Sequence, residues 1–151
     1  MLSKKTKYAL KALMALAEEP PGLPILIVTI ADKARIPKRF LEQILIELKG
    51  MGMVNSRKGK HGGYFLNRRP DEISIGHVVR TLDGPLAPLP CVSKSAYERC
   101  EECVDERTCG LRMIMLDVRN ATAAILDQST LADLMAREAA AKARPDAMYF
   151  I

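Results

Sequence analysis

Three segments with apolar residues at helical spacing come directly before a short glycine-rich hairpin. Residues 6–17 form the first segment, a second short helix is expected over about 27–34, and a third over about 37–49. The apolar positions of the first segment are Tyr8, Ala9, Ala12, Leu13 and Leu16. Recurrence every three to four residues predicts amphipathic helices, each with one face in a shared core.

The hairpin and a fourth helix complete the first half of the chain. Residues 53–57 and 64–67 are predicted strands, joined by a glycine-rich turn over 58–63. Ser74 can cap a fourth helix that runs through Leu82. Three helices followed by a hairpin is the order of a winged helix-turn-helix. The predicted fold class is therefore mostly α: a winged helix-turn-helix with a two-stranded wing and a long C-terminal dimerisation helix.

The residue types in this module suit DNA. In a helix-turn-helix the second helix of the pair enters the major groove. Arg39 can pair with guanine, Gln43 with adenine and Glu42 with the amino group of cytosine, whereas Lys38 suits a phosphate contact. The wing tip combines basic side chains with pliable glycines. The candidate DNA-contacting residues are Lys4, Lys5, Lys38, Arg39, Phe40, Glu42, Gln43, Arg57, Lys58, Gly59 and Lys60.

Charge is distributed unevenly along the chain, which carries a net charge of +5. Residues 1–70 hold 14 Lys/Arg against 5 Asp/Glu, whereas residues 71–151 hold 9 against 13. A basic first half joined to an acidic second half favours a polyanion-binding module joined to a different one. The alternative is a solvated basic surface with no partner.

All four cysteines lie in one short stretch, at Cys91, Cys100, Cys103 and Cys109. Clustered cysteines in a cytosolic protein more often bind metal or sense redox state than form structural disulfides. Four thiolates suit Zn²⁺ or an iron–sulfur cluster, and the spacing does not choose between them. A free-thiol or disulfide switch is the third alternative.

The second half also predicts a long helix with an apolar stripe. Leu111, Ile114, Val118 and Ile125 recur at coiled-coil-like spacing. Pairing with a second copy across a two-fold axis is the simplest way to bury this stripe, and packing back onto its own domain is the alternative. The predicted organisation is a DNA-binding domain over 1–83, a Pro/Cys-rich sensor loop over 84–110, the dimerisation helix and a short following helix over 111–135, and a flexible tail over 136–151.

Several function classes are disfavoured. Gly59-Lys60-His61 lacks the Ser/Thr that a phosphate-binding P-loop requires, and no catalytic His/Asp pairing is found, so the chain is not predicted to be an enzyme and no small-molecule substrate is expected. No apolar run approaches the ~20 residues that cross a bilayer, and the N-terminus lacks a signal-peptide pattern. We therefore expect no membrane partner and a cytoplasmic location.

Taken together in this order, the motifs resemble the winged-helix transcription regulators that include the iron–sulfur cluster regulator IscR, the nitric-oxide sensor NsrR and the cysteine-metabolism repressor CymR. The resemblance covers about residues 1–135. It rests on Lys7-Tyr8-Ala9-Leu10, on Ile36-Pro37 with 40–45, on 59–66, on the cysteine loop and on 130–134. It implies a homodimer, a palindromic operator in double-stranded DNA and a loop state that sets DNA affinity.

The resemblance also implies a cofactor. Cluster-binding members use three cysteines and one other ligand, and Cys91, Cys103 and Cys109 look like those three. The fourth ligand departs from the family: Arg112 stands where one member has histidine, and Lys7 stands near the acidic position of another. An all-cysteine site that adds Cys100 is therefore inferred, with [2Fe–2S] favoured over [4Fe–4S]. The alternative is a cluster-free member regulated by thiol oxidation, structural zinc or a partner protein.

Overall fold

The helices and strands form in the predicted order, and the mostly helical winged helix-turn-helix fold is confirmed. The structure is a computed structural model that describes residues 2–144. The winged module comprises α1 (Lys4–Ala17), α2 (Ile27–Ala34), α3 (Lys38–Gly50), β1 (Val54–Arg57), β2 (Gly63–Leu66) and α4 (Ile75–Asp83). After a 3-10 turn at Pro90–Val92, the chain continues through α5 (Gly110–Gln128) and α6 (Leu131–Ala143).

The core of the winged module lies between α1, α2 and α3. Leu13, Ile30, Leu41 and Leu45 are completely buried there. Each such side chain contributes roughly 1.5–3 kcal/mol through loss of apolar surface to water. On α3 the buried positions are Leu41, Ile44, Leu45 and Leu48. This spacing leaves one face of α3 buried and its opposite face free.

The turn between α2 and α3 is unusual at one residue. Arg35 ends α2 with φ 52° and ψ 54°, in the left-handed region. It is the one non-glycine residue with positive φ among residues 2–144. Pro37 then lies at the N-cap of α3, one position before the first helical residue. The buried side chain of Ile36, between them, anchors this turn in the core.

The wing is tied to the start of α2. β1 and β2 pair antiparallel, with Val54 opposite Leu66 and Arg57 opposite Gly63. Ile25 and Tyr64 exchange two backbone hydrogen bonds of 2.9 Å. A Cβ at Gly63 would lie 2.3 Å from the carbonyl oxygen of Ile25, so only glycine permits this approach.

Two polar contacts join α4 to its neighbours. The backbone N–H of Ser3 donates to Asp83 Oδ2 over 2.9 Å, and Thr6 Oγ1 donates to Asp83 Oδ1 over 2.6 Å, which links α1 to α4. Arg80 donates from Nη1 and Nη2 to the two carboxylate oxygens of Asp127, over 2.5 and 2.8 Å, which links α4 to α5. These contacts fix α4 to α1 on one side and to α5 on the other.

The last helix extends beyond its predicted end. The capping box of Thr130 and Asp133 forms as expected, and Leu131 is completely buried. The boundary expected at residue 135 is wrong, because α6 runs to Ala143. The alanine-rich run is the reason, since alanine has the highest helix propensity, and Lys142 pairs with Glu138 one turn away. The rest of the predicted tail, residues 145–151, lies outside the described residues.

The long helix α5 leaves an apolar stripe without a partner in the single chain. Leu111, Ile114, Val118 and Ile125 are all exposed. Arg119 and Ala123 lie on the face turned toward the rest of the chain and are buried. Within residues 2–144, no helix combines the length and the apolar character needed to cross a membrane.

Candidate nucleic-acid interface and cysteine loop

The free face of α3 carries the side chains that were predicted to read bases. Arg39, Glu42 and Gln43 are exposed on α3, and Lys38 is exposed at its first turn. The packing of the opposite face of the helix against the core fixes this orientation. The arrangement presents two cations, a carboxylate and an amide at the surface, as a helix in a DNA groove requires.

Phe40, one of the candidate DNA-contacting residues, lies outside the buried core of the winged module. Its ring is 47% exposed, and it packs beside Tyr8 of α1 with ring centroids 6.5 Å apart. The guanidinium carbon of Arg39 lies 4.8 Å from the centroid of the same ring. This cation–π contact restricts the position of Arg39.

The tip of the wing is basic and exposed. Arg57, Lys58, Gly59 and Lys60 are all exposed at the end of the hairpin. The guanidinium of Arg57 lies 5.7 Å from the centroid of the Phe65 ring on the opposite strand. Gly59 adopts φ 107°, which a tight turn at this tip requires.

The two N-terminal lysines of the candidate set differ. Lys4 is exposed. Lys5 is half-buried, and its ammonium lies 3.1 Å from the Glu47 carboxylate of α3. Lys5 therefore already has an intramolecular partner that links α1 to α3.

Ile46 is a candidate that the sequence analysis did not identify. It is 60% exposed on α3, one turn beyond Glu42 and Gln43. An apolar side chain there can contact the methyl group of thymine. Its spacing of seven residues from Arg39 was the available signal, since residues seven apart share one face of a helix.

The cysteines occupy different environments. Cys91 lies in the 3-10 turn Pro90–Val92 and is buried. Cys100 is exposed, Cys103 is half-buried, and Cys109 caps the N-terminus of α5. The hydroxyl of Tyr97 donates to the carboxylate of Glu106 over 2.8 Å, which closes the loop between them.

The pKa is raised at two of the four cysteines of this loop. The pKa of the Cys103 thiol is raised, first by burial and then by the adjacent thiol of Cys109. The hydrogen bond that Cys100 Sγ donates to Glu102 over 3.2 Å raises the pKa of Cys100. A raised pKa keeps a thiol protonated and slow to react.

The donor set fits a metal or cluster by ligand type but not by arrangement. Four thiols are soft ligands suited to zinc or iron–sulfur centres. Within residues 2–144, however, no three Cys, His, Asp or Glu side chains come close enough together to hold a metal ion. A four-cysteine centre therefore requires the loop to rearrange.

Comparisons with known proteins agree with the fold. The Rrf2 family, described as iron-dependent transcriptional regulators, matches residues 2–137. An rrf2-like protein of Rhodobacter capsulatus is 45% identical over 90% of this chain and 93% of its own length. The transcriptional regulator NsrR of Bacillus subtilis is 33% identical over 89% of each chain.

Solved structures give the same result. The structure of CymR, the global cysteine regulator of B. subtilis, superposes with a TM-score of 0.75 at 30% identity, covering 91% of this chain and 97% of that one. IscR of T. potens superposes with a TM-score of 0.71 at 26% identity, covering 95% and 90%. These relatives are regulators rather than enzymes. The chain belongs to the Rrf2 family of transcriptional regulators.

Proposed function

We propose that this chain is a dimeric, sequence-specific repressor that binds a palindromic operator in the cytoplasm, with an affinity set by the state of the cysteine loop. The observation that supports it best is the free face of α3. This face carries exposed hydrogen-bonding side chains, the opposite face is held in the core by buried apolar residues, and the basic wing extends from the same module. In a two-fold dimer, two such faces would meet two half-sites.

The proposed contacts with DNA have three roles: base reading in the major groove, insertion into the minor groove and binding of phosphates. Arg39, held over the Phe40 ring, would reach a guanine in the major groove, with Glu42 and Gln43 beside it. Arg57 of the wing would enter the adjacent minor groove, where narrow width attracts arginine. Lys4, Lys38 and Lys58 would contact phosphates and make binding depend on salt.

The test of this readout compares two neighbouring cations on α3. An operator is first selected from a randomised duplex pool, and affinity is then measured for that site and for an unrelated duplex. We expect Arg39→Gln to weaken binding to the selected site by about 5–150-fold, with little change on unrelated DNA. Lys38→Gln, the matched control, should weaken both alike and lower the salt slope by about one. Equal effects of both variants on both duplexes would argue against base reading by Arg39.

Control at the cysteine loop has two proposed forms. In the first, the four cysteines would hold an iron–sulfur centre, with [2Fe–2S] favoured, once the loop at the start of α5 has rearranged, and the ordered loop would bias the dimer between two arrangements. In the second, no cluster binds, and thiol oxidation, zinc or a partner protein changes the loop instead. The burial of Cys91 and the exposure of Cys100 favour neither form.

Anaerobic purification separates the two forms. A brown protein with iron and sulfide in equal amounts supports the cluster, and the iron content per dimer identifies its type. A colourless protein with one zinc per chain would identify the loop as a structural zinc site. A protein that stays metal-free after iron–sulfur reconstitution excludes the cluster, and DNA affinity before and after thiol alkylation then tests the thiol switch.

A further inference from the structure

A polar cavity lies between α4, α5 and the segment 85–95, away from the DNA-contacting face. Its volume is about 430 Å³. Small-molecule sites in proteins are commonly about 300–1,000 Å³. The side chains of Arg80, Arg119 and Asp127 line one part of it, and Ser93, Lys94 and Ser95 line another. Three cations and one carboxylate therefore face a space of ligand size.

Arg119 is the feature that needs explaining. Its side chain is only 8% exposed, although guanidinium groups are almost never fully buried unless paired. Within residues 2–144, its one side-chain hydrogen bond runs from Nη1 to Asn120 Oδ1, over 2.7 Å. No carboxylate of the described residues lies within ion-pair distance of it. Its remaining N–H donors have no bonded partner among these residues but are not sealed from solvent, so they are available to an anion in the cavity.

Asp127 does not supply that anion. Both of its carboxylate oxygens accept hydrogen bonds from Arg80, over 2.5 and 2.8 Å. These bonds lower the pKa of Asp127 and raise that of Arg80, so the pair stays charged and mutually neutralised. The charge of Arg119 also lowers the pKa of Asp127, but three cations face one carboxylate, so the lining is net positive.

The cavity also lies apart from the apolar stripe of α5. At 100° per residue, Arg119 stands about 100° around the helix from Val118 and about 140° from Ile114. Arg119 faces its own chain, and the stripe faces outward. The stripe and Arg119 therefore lie on different sides of α5, although Pro85, Leu86 and Ala87 also border a neighbouring cavity that Val118 lines.

We propose that this cavity binds a small organic oxyanion, a carboxylate or phosphate group held by Arg119 with Lys94 and the hydroxyls of Ser93 and Ser95. The ligand would join α5 to the segment that carries Cys91, two residues before Ser93. This would give the regulator a second input beside the cysteines. Binding at the cavity does not require DNA or any state of the thiols, so it stands or falls separately from the proposed function.

The test uses the full-length, reduced protein in chloride buffer without DNA. Inorganic phosphate and succinate are titrated at constant ionic strength, and Tm and heats of binding are measured. A ligand at about 100 times its Kd should raise Tm by about 5 °C or more. Phosphate and succinate are compared to distinguish a phosphoryl from a carboxylate ligand. If neither anion raises the Tm above that of the chloride control, the proposal is overturned. This result is expected if an acidic side chain of a partner subunit already pairs with Arg119.

The variants localise the response. Arg119→Gln should abolish it, yet without anion this variant should be at least as stable as the unmodified chain, because it removes an unpaired buried charge. Arg137→Gln, on an exposed position of α6, is the matched control and should respond normally. Phosphate bound at the DNA-contacting face would give a response that does not depend on Arg119. A response that survives Arg119→Gln therefore overturns the assignment of the anion to this cavity. If Arg119→Gln fails to fold, Lys94→Gln on the rim should weaken binding at least threefold, and unchanged binding overturns the proposal.

Discussion

Arg35 adopts a left-handed backbone conformation that is strained for a residue with a Cβ. It closes α2 in the left-handed region, with its backbone N–H directed to the carbonyl oxygens of Ala31 and Asp32. Helices commonly end this way, but usually at glycine, because a Cβ there approaches the neighbouring carbonyl. The turn it forms connects α2 to α3, so the strain lies where α3 is oriented.

Two substitutions at this position isolate the backbone effect. Arg35→Gly and Arg35→Ala both remove the charged side chain, and they differ only in the Cβ. We expect the glycine variant to be the more stable by about 1 kcal/mol, since relief of left-handed strain exceeds the entropy that glycine adds to the unfolded chain. Chemical denaturation measures the difference. An alanine variant that equals or exceeds the glycine variant would show that the turn relaxes when Arg35 is replaced.

Other residues depart from sequence expectation for reasons of tertiary contact. Phe40 has the spacing of a core residue, but it lies at the surface against Tyr8, where it supports Arg39. Lys5 is a basic residue that the sequence predicts to contact DNA, and its ammonium forms an ion pair with Glu47 of α3. Periodicity cannot distinguish these outcomes, because both depend on which residues of other helices lie nearby.

At the scale of elements, the contact of Asp83 with Ser3 and Thr6 joins the first helix to the fourth. Burial of Asp83 tends to raise the pKa of its carboxyl, but the hydrogen bonds from Ser3 and Thr6 outweigh burial and lower it. A carboxyl with a lower pKa in the folded state stabilises the fold above its unfolded pKa. That stabilisation disappears as the pH falls through the folded pKa.

The lowered pKa of Asp83 leads to a prediction of how stability depends on pH. The stability difference between the unmodified chain and Asp83→Asn should be full at neutral pH and should shrink as the pH falls below about 4, the unfolded pKa of aspartate. Urea denaturation of both proteins from pH 7 to pH 3 measures it. Asp71→Asn, at an exposed site outside this contact, serves as the comparison and should show a smaller dependence. A difference that stays constant through this range would contradict the role of the ionised carboxyl.

For the whole molecule, the apolar stripe of α5 is a surface that the single chain leaves uncovered. Leu111, Ile114, Val118 and Ile125 are exposed with spacings of three, four and seven residues. A lone soluble chain rarely leaves such a continuous stripe in water. A second copy placed across a two-fold axis would cover both stripes at once, and the same symmetry would pair the two α3 faces.

A charge introduced into the stripe tests this arrangement. Ile114→Lys should convert the dimer to monomer and weaken operator binding at least tenfold, because the lysine would be buried without a partner. Met113→Lys, next to it but on a different side of α5, should leave the dimer intact. Analytical ultracentrifugation gives the oligomeric state of both. A dimer that persists in Ile114→Lys would move the interface elsewhere.

The sequence alone determined the order and type of the elements, because each was encoded locally. The spacing of Leu41, Ile44, Leu45 and Leu48 marked α3, the glycine-rich turn marked the wing, and Thr130 with Asp133 marked the cap of α6. The order of these motifs was also sufficient to suggest the family. Local periodicity carries this information because helices and strands repeat at fixed intervals.

Only the tertiary structure decided which polar groups meet. It buried Arg119 beside a cavity, paired Arg80 with Asp127, and buried Cys91 while leaving Cys100 of the same loop exposed. The contact of Arg80 with Asp127 joins residues far apart in the chain, where desolvation and charge pairing act over distances that no local pattern encodes.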